Sequence, residues 1–332
     1  MSQRHHYVPL VLLRNFSSDE QICLFDKHSN KSFKTNIKNA FVEGDFNTVI
    51  GDGFTLEAEQ IFGRAETAAA PILQSILEKK EIKHLGIDER ATIATFVTIQ
   101  HLRSKQSRRT FSIFREEMKR RFPDIPQSNF ELPGFAPNEA DKYASLDFIA
   151  QNLGSLAQHI VQKDFLLVEL DCAGAFWISD HPVVLHNDNP KGYESNLGLA
   201  VPGIQIYLPV SSLHALAFFC PTIKEELKKG ADKASKIKNS FFAKFFESGN
   251  LGDAHARTLA QLSQAKKTID LHFRQHENQK IFFNAQNLIF LNSLQVQTAY
   301  RFLAGPQDDF TLAIDMLRET PAIRQPNQIQ FG

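Results

Sequence analysis

The chain has 332 residues, 37 Lys plus Arg against 37 Asp plus Glu, a net charge of +0, and three cysteines, Cys23, Cys172 and Cys220, with no C-x-x-C pair. That length can bury a large core, while the charge balance excludes a global field that would recruit nucleic acid or an anionic membrane, and the cysteines exclude a disulfide framework or a cysteine zinc site. No apolar run nears the roughly 20 residues of a membrane helix and no secretory leader is evident, so the expectation is a cytoplasmic protein whose 29 phenylalanines fill its core.

The first segment, "RHHYVPLVLLRNFS" (4–17), combines two adjacent histidines with a proline. Pro9 holds Val8 extended and can itself start a helix, so 5–8 reads as extended and 9–16 as a short helix carrying Leu10, Leu13 and Phe16. "QICLFD" (21–26) and "KSFKTN" (31–36) flank the turn-rich "KHSN" and read as a hairpin. "DFNTVI" adds a third strand, and Thr55 reads as the N-cap of a long helix ending near Lys79. A second long helix is expected from Asp88 to Arg121. Residues 123–138 contain four prolines and read as a loop, and 140–162 reads as a helix. "DFLLVEL" (164–170) and "AFWISD" (175–180) read as a hairpin around 171–174, with "VVLH" (183–186), "IQIYLPV" (204–210) and "HALAFFC" (214–220) extending its sheet. Helices follow over 221–230, 234–248, 254–273, 284–303 and 308–318. The expected fold class is α+β, predominantly helical, with a central antiparallel sheet and a small N-terminal hairpin. The expected organisation is one domain over 1–332: arm and hairpin 1–53, helical part 54–163, sheet part 164–220, C-terminal helices 221–320.

Several landmarks stand in a fixed order: "HHYVP" and "LLRNF", then "DFNTV", "LEAEQIFGRAE", "ISDHPVV", "IYLPVSS" and "LNSLQVQTAYRF". In order and spacing this resembles the bacterial domain of unknown function 4238 family, over residues 5 to about 303. Many relatives carry Tyr where this chain has Asn47, and Asn where it has His181. The resemblance implies a fold and the neighbourhood of a site; the family brings no assigned reaction.

The candidate site residues come from three motifs. In an extended segment alternate side chains share a face, so His5 groups with Tyr7 and His6 with Val8, and one metal ion cannot use both imidazoles. Either histidine suits proton transfer near neutral pH; the structural alternative is an imidazole bonded to backbone that pins the arm. The second long helix carries an apolar stripe, Ile93, Val97, Phe111, Phe114 and Met118, interrupted at Gln100, Ser104 and Ser107. Unpartnered buried polar groups cost about 1–3 kcal/mol each, so this seam needs side chains, water or a ligand. Gln100, Arg103 and Arg108 would present donors to an anion, and the following run of Lys and Arg to 121 is a solvated face or a phosphate-tracking strip. In "ISDHPVV" the pair Ser179-Asp180 either shapes a turn or supplies a rigid carboxylate that orients His5 or His6.

Glu59 and Glu66 share a helix face and with a histidine could take a divalent ion, although ion pairs to Arg or Lys are the simpler use. Asn292 and Gln295 lie one turn apart, bridging backbone or lining a pocket. There is no G-x-x-x-x-G-K-[ST], G-x-G-x-x-G or H-E-x-x-H. Two function classes follow. One is a phosphodiesterase or nuclease with His5, His6 and Asp180 as catalytic groups. Its ligand contacts are Tyr7, Gln100, Arg103, Arg108, Ser179 and Asn292, and it has no resident metal or cofactor. The other is a non-catalytic sensor or binding module for a small anion or a partner protein. The expected partners are nucleic acid or a small phosphorylated ligand, not a membrane.

Overall fold

The computed structural model of the protein describes residues 3–51, 53–126, 134–188, 197–248 and 253–325. It is α+β and mainly helical, built around a five-stranded and a four-stranded sheet, with two further strand pairs. The five-stranded sheet runs β12-β7-β11-β10-β9, from β7 (Asp164–Leu170), β9 (Val184–His186), β10 (Gln205–Pro209), β11 (His214–Phe219) and β12 (Lys280–Phe283). All six residues of β11 are buried, which is why "HALAFF" lacks the polar alternation of a one-sided strand. Four of the five strands pair antiparallel; β12 joins β7 in parallel.

The four-stranded sheet runs β3-β2-β13-β8, from β2 (Gln21–Asp26), β3 (Lys31–Asn36), β8 (Ile178–Ser179) and β13 (Phe302–Gly305). Alternation along β2 divides its side chains between two cores: Ile22 and Leu24 face the main one. Cys23 and Phe25 face a smaller one with Trp177, Leu303 and Phe310. At the edge, β3 carries Lys31 and Lys34 on an exposed strand, a charged finish that discourages further pairing.

One strand pair and five helices position the candidate site. Strand β1 (Arg4–His6) pairs with β4 (Val42–Gly44), setting His5 opposite Glu43. Helix α1 (Leu10–Leu13) and the turn to Phe16 lay Leu12, Leu13 and Phe16 into the main core beside Tyr7 and Val8. Helix α2 (Glu59–Lys79) and helix α3 (Ile87–Leu102) pack together, α3 also against α5 (Pro137–Val161), and α4 (Lys105–Arg121) against α5.

The structure departs from the sequence expectations in five places. Thr55 is not an N-cap: 54–57 form β6 (Phe54–Glu57), paired with β5 (Thr48–Gly51), and α2 starts after Ala58. The expected helix over 88–121 is two helices. The expected 164–170/175–180 hairpin is absent; β7 pairs with β11 and β12, while β8 pairs with β13 in the other sheet. Residues 221–248 form one helix, α6 (Pro221–Ser248), packed on α7 (Asp253–Asn278). Gly230 lies inside it without interrupting it. Helix α8 (Ala285–Thr298) stops before β13, and α9 (Thr311–Glu319) follows. Part of the expected loop, 127–133, lies outside the described residues.

Leu13 is fully buried at the foot of the arm. Leu13→Ala should cost about 2–5 kcal/mol, read as a lowered urea midpoint; an unchanged midpoint would show that the arm is not anchored in the core.

Candidate functional site

The polar seam sits where α3 ends and α4 begins. Arg103 closes α3, its N–H bonding to Ile99 O at 2.9 Å. Ser104 then takes an extended conformation and caps α4, its Oγ accepting the Ser107 N–H at 3.1 Å. The Ser107 hydroxyl returns to the His101 carbonyl at 2.5 Å. Ser104 and Ser107 are therefore polar because they make the break, and the side chains on either side of it turn towards β1, the β4–β5 loop and α2.

Asn47 organises this meeting. Its N–H donates to His5 Nδ1 (3.1 Å), its Nδ2 to Glu59 Oε2 (2.6 Å), and its Oδ1 accepts from Arg108 Nη2 (3.0 Å). Arg108 also donates from Nη1 to Phe46 O (2.5 Å) and lies 3.7 Å over the Phe46 ring. Burial lowers its pKa to about 10, so it stays charged at neutral pH. Arg103, without solvent exposure, ion-pairs with Glu66, reaches Gln100 Oε1 at 3.4 Å, and stands over Phe62. Glu59 and Glu66, two turns apart on α2, thus each hold one polar partner. Five buried donor atoms nevertheless lack an acceptor: His5 Nε2, Gln100 Nε2, Arg103 Nε and Nη1, and Arg108 Nε.

The geometry fixes the His5 tautomer. Because Nδ1 accepts the Asn47 N–H, the neutral imidazole carries its proton on Nε2. Glu59 lies 3.9 Å from Nδ1, beyond hydrogen-bond range. His6 points the other way, half-buried against the carbonyls of Ile37 and Lys38, and burial lowers its pKa. Tyr7 shares the His5 face, its ring 4.9 Å from Phe46 with the Lys105 ammonium 5.4 Å away. Its phenol pKa is raised, by burial first and then by the field of Asp180.

The S-D-x-P turn meets the break through His181, where many relatives carry Asn. His181 Nδ1 is 2.6 Å from Ser104 Oγ, and its ring lies 5.2 Å from that of His101. Burial lowers His101 to about 4 and His181 to about 3, the latter also through its neighbour His101. Asp180 does not orient His5 or His6. Its carboxylate accepts the N–H groups of Tyr300 (2.7 Å), Arg301 (2.7 Å) and Phe302 (2.8 Å). Burial raises its pKa to about 6 against those three bonds and the nearby Lys27. Lys27 is fully buried and donates to Val296 O (2.6 Å) and Ala299 O (2.9 Å), closing the C-terminus of α8.

Ser179 and Asn292 are likewise committed to structure. Ser179 Oγ lies 2.6 Å from Gln295 Oε1, and Gln295 Nε2 donates to Pro182 O at 3.0 Å. Asn292 accepts the Trp177 N–H and donates to Ala175 O, both at 3.0 Å. They brace β8 and its flanks against α8 and are not part of the helix-break cluster. The basic run of α4, read as a solvated face or a phosphate-tracking strip, is largely ion-paired. Arg115 pairs with Asp141, Arg120 and Arg121 with Glu117, and Lys105 with Glu43. Among the described residues no group of three His, Cys, Asp or Glu is placed to hold a metal ion, and no helix is long and apolar enough to cross a membrane.

These landmarks can be set against known proteins. The family "Protein of unknown function (DUF4238)" matches residues 4–309. The chain belongs to the DUF4238 family. No curated protein and no solved structure matches it. The DUF4238 match runs from β1 past β13, and so takes in both the helix break and the Asp180 network.

The buried histidines predict an acid limit. Between about pH 6.5 and 4 the unfolded chain takes up two protons that folded His101 and His181 refuse, so stability falls as pH falls. Asp180, with folded pKa about 6 against 3.8, opposes this below pH 6 with one proton. The net slope should follow the histidines, and His181→Asn should flatten it by about 1.4 kcal/mol per pH unit. Urea unfolding at stepped pH measures this; an unchanged slope in the variant would refute it.

Proposed function

We propose that the α3–α4 break is an oxyanion-binding site and that the chain is a recognition module for a small phosphorylated ligand. One observation carries this: every unpartnered polar atom on His5, Gln100, Arg103 and Arg108 is a donor, and the missing partner is an acceptor. Each such group costs about 1–3 kcal/mol when left unmade, and a phosphoryl oxyanion accepts several charge-assisted bonds at once. Glu66, 26 % exposed, competes for Arg103; swinging outward, it yields the guanidinium to the ligand.

The His5 tautomer favours recognition over hydrolysis. A general base needs a free lone pair, and the His5 Nε2 position bears a proton while Nδ1 holds the Asn47 N–H. A phosphodiesterase reading survives through Glu59, which is 37 % exposed and bound to Asn47 Nδ2. Its carboxylate could take a proton from an attacking water, with His5 Nε2–H facing the leaving oxygen.

The test is a thermal-shift titration with pyrophosphate. At about 100 times its Kd it should stabilise the chain by roughly 2.7 kcal/mol. Arg108→Gln should abolish the shift, and Glu66→Gln should strengthen binding by removing the internal competitor. No shift with pyrophosphate, or one undiminished in Arg108→Gln, would overturn the site. Release of p-nitrophenol from a bis-aryl phosphodiester, lost in Glu59→Gln, would promote the hydrolytic reading.

A further inference from the structure

A second concentration of positive charge lies away from the helix break. Lys80, in the left-handed region at φ 51°, turns the chain out of α2, and Gln279, at φ 53°, turns it out of α7 into β12. The two reversals are fastened to each other: Lys280 Nζ donates to Lys80 O (3.1 Å) and Lys83 Nζ to Asn278 Oδ1 (3.2 Å). Between them is a cavity of about 620 Å³ lined by Lys79, Lys80, Lys83, Arg274 and Lys280, with Glu81 its single acidic residue. Its size is that of a small-ligand site.

Lys280 is answered by Glu169. Among the described residues, Lys79, Lys80, Lys83 and Arg274 have no carboxylate within salt-bridge distance. The dipole of α2 explains Lys79, which stands in its last turn. Lys83 lies beyond that helix and Arg274 before the last turn of α7, so neither serves a helix end. In a chain of zero net charge, five of whose α4 cations are ion-paired, this is an unspent local field. The cavity also has an apolar wall: Phe282 is 48 % exposed and Leu271 54 %, with the Lys280 ammonium 5.3 Å from the Phe282 ring centre.

Cations that track phosphate beside an exposed aromatic face are the elements of single-stranded nucleic-acid and nucleotide binding. We infer that this cavity binds nucleoside phosphates, the phosphates among Lys79, Lys80, Lys83 and Arg274 and the base against Phe282 and Leu271. The inference is independent of the helix-break site.

The experiment uses the full chain, with a fluorescein-labelled single-stranded 12-nucleotide oligo(dA), ATP, tripolyphosphate and polyglutamate as probes, at 50 mM and 200 mM salt. Oligonucleotide or ATP should bind at low salt and weaken at high salt. Oligonucleotide binding tighter than ATP marks a strand as the source; the converse marks a mononucleotide. Lys83→Glu with Arg274→Glu should weaken either at least tenfold while the melting temperature holds. If that pair melts early, Lys83→Gln with Arg274→Gln should still weaken binding at least threefold. Phe282→Ala should reduce nucleotide affinity and leave tripolyphosphate unchanged. No binding of oligonucleotide or ATP, binding undiminished in the charge variants, or equal displacement by polyglutamate would overturn the inference. So would binding lost only in Arg108→Gln, which would assign it to the helix break.

Discussion

The hydroxyl of Ser104 makes the break on which the candidate site depends. By capping α4 it ends one helix and starts another within two residues, so that Arg103 reaches Glu66 on α2 while Arg108 reaches Phe46 and Asn47 in the β4–β5 loop. The same oxygen touches His181, so the turn after β8 is docked against the break. A continuous helix would carry both arginines on one rod, and the pairing of Arg103 with Glu66 and of Arg108 with Asn47 would require a different packing of α2.

Two buried polar networks stand in contrast. Around α8 and β13, Asp180 takes three N–H groups and Lys27 closes two carbonyls. Arg301 forks onto Asp26 at 3.0 and 2.7 Å. That network balances donors against acceptors, as a structural network does. Around the helix break the balance is uneven: on His5, Gln100, Arg103 and Arg108 the unanswered atoms are all donors. Proteins break such local rules mainly at functional sites, and this asymmetry, more than any single residue, separates the site from the scaffold.

Much of the scaffold was legible in local pattern. The hairpin of β2 and β3 followed from two strand-like runs about a four-residue turn, and β10 and β11 from near-continuous apolar runs. The break between α3 and α4 was not, because the apolar stripe continues in phase from Ile93 through Met118 and periodicity outweighed the capping signal of Ser104. Strand β8 lies within the strand-like stretch 175–180, but its pairing with β13 is sequence-distant and two residues carry no pattern that would reveal it. At the site, His5, Gln100, Arg103 and Arg108 were visible as chemistry. Asn47, which joins His5, Glu59 and Arg108, was visible only as a departure from the family pattern, since an amide becomes a hub through contacts that spacing does not encode. Asp180 was singled out for its position at a strand end. What it holds, three amides in 300–302, lies far along the chain.

That distance has a consequence for biosynthesis. Strand β2 pairs with β13, Cys23 against Gly305, and Lys27 finds its carbonyls only on Val296 and Ala299. At typical ribosomal rates of roughly 5–20 residues per second, β2 waits on the order of 15–60 s for its neighbour. Throughout that interval its inner edge is an open template, and the ammonium of Lys27 has no interior to enter. The nascent N-terminal third therefore cannot complete its own sheet, and it is in this window that a chaperone, or a stray strand, would find it.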